Sequence, residues 1–346
     1  MRIRGLRRLK TQYAKLRGRL NPGPIVLLYH RVAKLSQDPH LLAVSPQHFE
    51  EQLNAMRQHY QVVSLSELGG RLADGGRLEP VVVITFDDGY ADNAEFAFPL
   101  VKKYGIPATF YLTSGFVGST KECLQDDLER ILLSSHQCPD SLRITIKGKL
   151  FIWALNSFKA PYASATQITG WNMESKTDPT PRHLAHREIH NLLRTVHPAE
   201  RENILEQLRS QFKVLSVARP TYRAMTWAQA RMMLTCDLIS IGAHTVNHPY
   251  LSALTLPEQN AEILESKQTI EKQTGQSVTT FAYPYGTRES YTPATIDLLK
   301  QQGFTIACSN FRERIGRQTD LFQIPRLVVR NWNGDDFLKQ LCNGRL

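Results

Sequence analysis

Two adjacent aspartates follow a short, strongly apolar segment of the chain. The segment Val81-Val82-Val83-Ile84 is typical of a strand buried on both faces, and Thr85-Phe86-Asp87-Asp88-Gly89-Tyr90 ends it. Two carboxylates at such a strand end are energetically costly unless a cation binds them. Because neighbouring side chains of an extended chain diverge, one aspartate can ligate a metal while the other faces a substrate or water. Asp-Asp-Gly is also common in turns, so this motif alone leaves both interpretations open.

Two histidines follow a second strand-like segment. His244-Thr245-Val246-Asn247-His248 comes directly after the apolar run Ile239–Ala243. Histidines four residues apart can converge on one metal, and Asp88 would complete a set of two imidazoles and one carboxylate with open coordination positions. Two surface histidines are the alternative for this motif alone. Since both motifs end strands of one predicted sheet, we interpret them as a single metal site.

A third motif adds aromatic side chains at a later strand end. Phe281-Ala282-Tyr283-Pro284-Tyr285-Gly286 would place an aromatic wall and free backbone N–H groups near the same mouth. An ordinary Pro-Tyr-Gly turn explains the same residues. The motif therefore supports the site only together with the other two.

The elements that must position these motifs alternate between strands and helices along the chain. This alternation predicts an α/β fold with a parallel sheet, and eight strands indicate a (β/α) barrel with its chemistry at the carboxyl ends of the strands. The predicted strands are Ile25–Tyr29, Val62–Leu65, Val81–Phe86, Ala108–Leu112, Ile239–Ala243, Thr279–Tyr283, Phe304–Cys308 and Ile324–Val329.

The alternation fails over about residues 115–222, which we interpret as a large insertion after the fourth strand. It contains a predicted hairpin at 143–154 and a polar helical region at 182–212, broken at Pro198. Such an insertion can form a lid or substrate wall, or a separate subdomain without a role in the site. Three of its histidines recur at helical spacing and favour a solvated helix face over a second metal site: His183, His186 and His190.

The charge of the chain is concentrated at its N-terminus. The 346 residues carry a net charge of +10, and residues 1–20 hold eight Lys or Arg and no acidic residue. The remainder has 34 basic and 32 acidic residues, so we do not expect the folded domain to bind nucleic acid. Apolar residues at steps of three and four predict an amphipathic helix in segment 1–22, which either lies on an anionic membrane or packs on the domain at 23–346.

Localisation follows only from general features. No apolar run of about 18 residues predicts a membrane-spanning helix, and the basic N-terminus lacks the apolar region of a secretory signal. The five cysteines form no C-x-x-C pair, which suits a reducing compartment. We expect a cytoplasmic protein, or one peripheral at the inner membrane face through residues 1–20, and no obligate protein partner is evident.

The three motifs, in this order and spacing, resemble those of the polysaccharide deacetylase family (the NodB-homology domain, carbohydrate esterase family 4). The resemblance runs from about Ile25 to Trp332, interrupted by the insertion. Leu28-Tyr29-His30-Arg31-Val32 resembles the bacterial branch linked to surface and exopolysaccharide synthesis. The family fold is a distorted barrel of seven or eight β/α units that holds one divalent metal, usually zinc, with Co²⁺, Ni²⁺ or Mn²⁺ as alternatives.

The resemblance implies a metal-dependent hydrolase that removes N-acetyl groups from a glycan or a glycolipid. It assigns Asp87 as general base, Asp88, His244 and His248 as metal ligands, and the Tyr285 backbone N–H as a donor to the oxyanion. An O-acetyl esterase or a de-N-formylase of the same mechanism is an alternative. A non-catalytic glycan-binding protein is another, although pure binding has no need of a base such as Asp87.

The sequence departs from the family pattern at two functional positions. The arginine that orients the base is replaced by Ala282, and Arg326 and Arg330 are the residues considered as substitutes. The late Leu-x-His motif, which supplies the general acid, is not visible, and His30 is our candidate for that role; a structural histidine is the alternative. Four further residues are predicted to bind substrate: Tyr90, Tyr283, Pro284 and Arg326.

Overall fold

A computed structural model describes residues 23–75, 78–155 and 168–342, and a parallel β-sheet forms its centre. Within these residues eight strands make up the sheet, in the order β11-β10-β9-β6-β5-β1-β12, with β4 paired to β5. The strands in chain order are β1 (Ile25–Tyr29), β2 (Arg31–Val32), β3 (Ala43–Val44), β4 (Gln61–Val62), β5 (Val81–Phe86), β6 (Ala108–Leu112), β7 (Ser141–Ile146), β8 (Lys149–Ala154), β9 (Ile239–Ala243), β10 (Thr280–Ala282), β11 (Ile306–Cys308) and β12 (Leu327–Val328).

A short segment before the last strand joins the two edges of the sheet. Ile324 forms a parallel bridge with Cys308 at the β11 edge, and Leu327 and Val328 pair with Leu27 and Leu28 of β1 at the other. Residues 324–328 therefore bring the sheet round into a ring. This confirms the predicted α/β fold, a distorted (β/α) barrel whose last strand is reduced to two residues.

Helices surround the sheet and end where the sequence signals predict. They are α1 (Pro46–His59), α2 (Leu65–Ala73), α3 (Phe98–Tyr104), α4 (Leu124–Glu129), α5 (Pro181–Leu193), α6 (Pro198–Phe212), α7 (Trp227–Met233), α8 (Leu256–Thr274), α9 (Pro293–Gln301) and α10 (Gly334–Cys342). Ser45 caps α1 through the His48 N–H, and Gly105 and Gly275 end α3 and α8 in the left-handed conformation. None of the helices in the described ranges combines the length and apolarity required to cross a bilayer.

The strands predicted over 279–283, 304–308 and 324–329 are shorter in the structure, and two other predicted elements differ for a local reason. The strand predicted over 62–65 ends at Val62, because the Ser64 hydroxyl accepts the Glu67 N–H and begins α2 at Leu65. The helix predicted from Asn93 opens as a π-helical stretch, Asn93–Ala97, before α3. Pro99, which has no N–H to donate, lies at the junction.

The segment between β6 and β9 has a hydrophobic core of its own. The hairpin β7–β8 forms as predicted, with Arg143 opposite Ile152. Together with α4, α5 and α6 it buries a second cluster of apolar side chains, which includes Leu128, Ile131, Leu142, Ile189, Leu208 and Phe212. The predicted amphipathic segment at 1–20 lies outside the described residues.

Candidate active site

Polar residues at the carboxyl ends of the barrel strands surround one cavity. Asp87 and Asp88 follow β5, His244 follows β9, Tyr283 follows β10 and His30 follows β1. The walls of this cavity also include His248, Tyr285 and Arg326. The parallel sheet therefore brings together residues as far apart in the sequence as His30 and Arg326, as the barrel fold requires.

Asp88, His244 and His248 form a set of side chains that could hold one metal ion, and we call it the ligand set. Oδ1 of Asp88 lies 3.5 Å from Nε2 of each histidine, and the two imidazole rings are 4.9 Å apart, centroid to centroid. In the part of the chain that the structure describes, this is the one group of three metal-binding side chains whose ligand atoms all lie within 4.8 Å of one another. Two imidazoles and a carboxylate with open positions suit Zn²⁺.

The tautomer of His244 is set by its second hydrogen bond. Its Nδ1 lies 2.7 Å from the Ala282 carbonyl oxygen. A carbonyl can only accept, so Nδ1 carries a proton, and Nε2 is the nitrogen that faces Asp88 and is available to a metal. This is the outer-shell contact by which proteins orient a metal-binding histidine.

The charge states of Asp88 and His248 suit metal binding, whereas the charge of Asp87 and a hydrogen bond to Asp88 outweigh burial and raise the pKa of His244. Burial raises the pKa of the Asp88 carboxyl, but a hydrogen bond to His244 and the charge of His248 outweigh burial and hold it below its usual value. Burial lowers the pKa of His248 to about 3, against the opposing charge of Asp88. At neutral pH Asp88 is therefore ionised and His248 is neutral, the forms in which these groups ligate metals.

Unusual backbone conformations concentrate at this site. Asp88, Thr245, His248 and Tyr285 have φ of 76°, 64°, 52° and 61°, and they are four of the seven non-glycine residues with positive φ in the described ranges. Thr245 is β-branched, for which this conformation is especially unfavourable. Such residues persist only where surrounding contacts hold them, and they cluster at functional sites.

Two charged side chains hold the loop that carries His248. Glu262 of α8 accepts the backbone N–H groups of Val246 and Asn247, each at 2.9 Å. Arg201 of α6, in the insertion, donates to the carbonyl oxygens of Asn247 and His248. Glu262 and Arg201 are both 8% exposed. One residue of the barrel and one of the insertion therefore hold the strained loop through buried hydrogen bonds.

We expect Arg201→Met to weaken zinc binding about tenfold, because outer-shell partners of metal ligands contribute roughly 10–100-fold to affinity. Methionine keeps the apolar stem of the side chain and loses both hydrogen bonds to the loop. Competition for zinc with a chromophoric chelator measures the change, and Arg143→Met, at an exposed arginine of the insertion, is the matched control. Equal zinc affinity of Arg201→Met and the wild type would show that the loop keeps its conformation without the hydrogen bonds from Arg201.

Asp87 is paired with Arg326, which lies just before β12. Two guanidinium nitrogens, Nη1 and Nη2, donate to the two carboxylate oxygens of Asp87 at 2.8 and 2.7 Å, and both side chains are nearly inaccessible. Burial raises the pKa of Asp87, but the charge of Arg326, followed by that of His244, outweighs burial and lowers it. Of the two arginines considered as substitutes for the one missing at Ala282, Arg326 is therefore the one that pairs with Asp87, and its guanidinium is engaged by a protein carboxylate rather than held free for substrate.

The structure distributes the other predicted residues unevenly. Tyr283 lines the cavity and donates its hydroxyl proton to the Phe322 carbonyl. The Tyr285 ring packs on His248, 4.9 Å away, and no described residue accepts its backbone N–H. His30 also lines the cavity. Burial lowers the pKa of its imidazole in spite of the nearby carboxylates of Asp88 and Asp87.

Tyr90 and Pro284 lie outside the walls of this cavity. The Tyr90 side chain is fully buried, donates to Asp126 at 2.6 Å and packs against the guanidinium of Arg31. Pro284 is buried in the turn between Tyr283 and Tyr285. Neither is placed to contact a substrate in this cavity.

Sequence analysis missed the histidines that the insertion and the β2–β3 loop bring to the cavity. His40 and His190 line it, and His186 is fully buried behind them. The solvated helix face predicted for His183, His186 and His190 is therefore wrong: α5 turns this side toward the barrel. The four-residue spacing of His186 and His190 was the signal available in the sequence.

A second cavity also adjoins the ligand set. Its walls also include Asp88 and His248, and the insertion adds Lys121, Arg201 and Glu202. The insertion therefore forms part of the wall of both cavities, which meet at the ligand set.

The mouth of the barrel thus combines a possible Asp–His–His metal site with a buried aspartate that is paired with an arginine. The family model described as "Polysaccharide deacetylase" matches residues 74–138 and 190–307, more than half of the chain. The chain belongs to the polysaccharide deacetylase family. The stretch between the two matched ranges lies within the insertion.

Individual relatives are distant or cover only part of the chain. YxkH of Bacillus subtilis, a protein assigned to the polysaccharide deacetylases, is 30% identical over 108 residues, which are 31% of this chain and 37% of YxkH. The matched region thus spans about a third of that relative. The deacetylase PplD of Streptococcus pyogenes, solved in complex with acetate, is 18% identical with a TM-score of 0.56, over 93% of this chain and 99% of PplD.

A second solved structure shares the fold over nearly the same length. IcaB of Ammonifex degensii is 20% identical with a TM-score of 0.55, over 94% of this chain and 97% of IcaB. At these identities the likeness to PplD and IcaB shows the barrel fold.

Proposed function

We propose that this protein is a divalent-metal-dependent hydrolase that removes the acetyl group from the nitrogen of an amino sugar in a glycan or glycolipid. The observation that carries the proposal is the pair of adjacent aspartates with divided roles. Asp88 joins the two histidines, whereas Asp87 is ionised by Arg326 and lies 3.8 Å from His244 Nε2 without belonging to the ligand set. A site that only binds metal or sugar has no use for such a base.

The residues of the site divide the reaction between them. A divalent ion held by Asp88, His244 and His248, which is zinc by ligand type, would supply a Lewis acid for the acyl carbonyl and lower the pKa of water. Asp87 accepts the proton that the attacking water loses. The Tyr285 backbone N–H donates to the oxygen that becomes negative as the carbonyl carbon turns tetrahedral.

Breaking the C–N bond requires a proton on the departing nitrogen. We assign this step to His30, which faces the same cavity as Asp87. Burial lowers the pKa of His30, so its imidazole is mostly neutral at neutral pH, and in this role it passes on a proton that it receives during the reaction. Acetate and a free amine are the products, so acetate in the PplD structure agrees with the proposed reaction.

The two adjoining cavities favour a substrate longer than one sugar. The walls of both cavities include Asp88 and His248, which leaves room for further groups beside the acetylated unit. The half-buried ring of Tyr285 on the wall of the first cavity offers an apolar face to a sugar ring. These features suit an N-acetylated glycan or a glycan-bearing lipid.

The test begins with metal content. We expect close to one tightly bound zinc per wild-type chain and about tenfold less or lower in His244→Ala, because two remaining ligands hold zinc poorly. Elemental analysis of both proteins after desalting measures this, with His136→Ala, at an exposed histidine, as control. Acetate release is then measured from N-acetylated oligosaccharides and from O-acetylated sugars, and formate release from N-formylated oligosaccharides. The substrate that releases its acid identifies the bond that the enzyme hydrolyses. Full metal content without release of either acid would instead indicate a glycan-binding protein.

A further inference from the structure

Three histidines form a cluster that the proposed reaction does not use. His40 lies in the loop between β2 and β3, and His186 and His190 lie four residues apart on α5 of the insertion. We call these three residues the histidine cluster. His40 and His190 line the same cavity as Asp88, whereas His186 is fully buried.

The ring nitrogens of the cluster lack partners in the described structure. Nε2 of His40, both nitrogens of His186 and Nδ1 of His190 are buried without a hydrogen bond. An unpaired buried polar atom costs about 1–3 kcal/mol, and such atoms in a folded protein call for an explanation. Sugar hydroxyls could reach only the two rings on the cavity wall, so a substrate contact does not account for His186.

The spacing of the rings suits a shared metal ion. With metal–nitrogen bonds of about 2.0–2.1 Å, two imidazoles of a tetrahedral site have ring centroids about 5.2 Å apart. The His40 ring lies 4.5 Å from that of His190 and 5.6 Å from that of His186. For comparison, the His244 and His248 rings are 4.9 Å apart. Histidines at i and i+4 on one helix face also present both rings to one ion.

The cluster is held in the neutral form that ligates metals. Burial, and then repulsion from His190 and His183, lowers the pKa of His186 to about 3. Burial, followed by repulsion from Arg194 and Arg201, lowers the pKa of His190 to about 4. Burial, followed by repulsion from His190 and His186, also lowers the pKa of His40.

We propose that His40, His186 and His190 form a second transition-metal site that takes Zn²⁺ through three imidazoles. It is distinct from the set of Asp88, His244 and His248, and its fourth position faces the cavity through His40 and His190. The first set already has its ligand atoms within 4.8 Å of one another, whereas the ligand atoms of the cluster lie farther apart and its rings must turn to share an ion. The second ion therefore binds more weakly than the first.

Zinc binding to chelator-treated full-length protein tests this site without any substrate. Equilibrium dialysis against a graded series of Zn²⁺ concentrations, followed by elemental analysis, gives the number bound and both affinities. We expect two ions per wild-type chain, one tight and one weaker. His190→Ala should keep the tight ion and lose the weaker one, with at least a tenfold loss in its affinity.

Matched variants separate the two sites. His244→Ala should lose the tight ion and keep the weaker one, the double variant should bind neither, and His136→Ala should bind two. Because His190 lies in a packed helix, His40→Ala serves as a second variant, and retention of the tight ion reports that each variant is folded. A wild type that saturates at one ion, or two ions retained by both His190→Ala and His40→Ala, would overturn the second site and leave the first untouched.

Discussion

Asp87→Asn is expected to lower kcat for acetate release about a thousandfold, while the zinc content stays at the wild-type level. Loss of a general base typically reduces the rate by roughly 10²–10⁴-fold. Asparagine has nearly the same shape as aspartate but does not accept a proton from water. Asp87 is not among the ligand atoms of the metal set, so the change removes the base and leaves the ion in place.

Steady-state kinetics and elemental analysis of the same protein sample measure both quantities. Asp237→Asn, at an exposed aspartate, makes the same chemical change away from the cavity and should leave kcat unchanged. Asp88→Asn should differ from Asp87→Asn by losing zinc as well as activity. Turnover within tenfold of the wild type in Asp87→Asn would show that another group accepts the proton.

The largest effect on stability is expected for Arg326→Met. The substitution leaves the Asp87 carboxylate buried without its partner, and breaking one side of a buried ion pair costs about 3–5 kcal/mol of unfolding free energy. Arg326 also donates to the Ser309 carbonyl oxygen and to Thr85, which would lose these bonds. Chemical denaturation at neutral pH measures the loss, and Arg314→Met, at an exposed arginine, is the control.

The same variant should change how both stability and activity depend on pH. Burial raises the pKa of the Asp87 carboxyl, and the positive charge of Arg326 is the strongest influence that lowers it. Removal of the Arg326 guanidinium therefore lets the pKa of Asp87 rise. In the wild type, the lowered pKa of Asp87 stabilises the folded protein at pH values above the pKa of an aspartate in the unfolded chain, about 3.9. This stabilisation is lost as the pH falls through the pKa of Asp87 in the folded protein. In Arg326→Met the buried carboxylate takes up a proton at higher pH, so the stability difference between the two proteins should shrink on acidification.

The acidic limb of kcat/KM should move to higher pH in Arg326→Met, because Asp87 must be ionised to act as base. Arg326→Lys, which keeps the charge but not the paired hydrogen bonds, should show a smaller shift. An unchanged acidic limb in the methionine variant, with activity otherwise measurable, would mean that Asp87 does not set the lower pH limit of the reaction.

The sequence predicted the parts of the site that follow directly from a strand. Asp87, Asp88 and His244 stand immediately after apolar runs, and parallel strands bring their carboxyl ends to one edge, so local pattern and topology together predict the cavity. The position of His248 could also be predicted, because the short loop after β9 keeps it near the carboxyl-terminal edge of the sheet. Their roles remain predictions that the experiments above test.

Residues whose position depends on packing could not be predicted in the same way. Arg326 and Arg330 looked equivalent in the sequence. Only the pairing of Leu327 with Leu27 turns Arg326 toward Asp87 and leaves Arg330 to bind the His40 and Leu41 carbonyl groups. His190 was assigned to solvent because the docking of α5 against the barrel has no local signal.

The short segment that joins the sheet edges also affects the order in which the protein can be assembled during synthesis. Arg326 pairs with Asp87 across 239 residues, and it leaves the ribosome after almost every other barrel element has been made. Until then Asp87 has no arginine partner, and the β1 and β11 edges are open. A nascent chain that stops before residue 324 would therefore carry the metal ligands but have neither a closed barrel nor an ordered base. Such long-range closure slows folding, and exposed strand edges recruit other chains, so chaperone dependence should be concentrated in the last steps of translation.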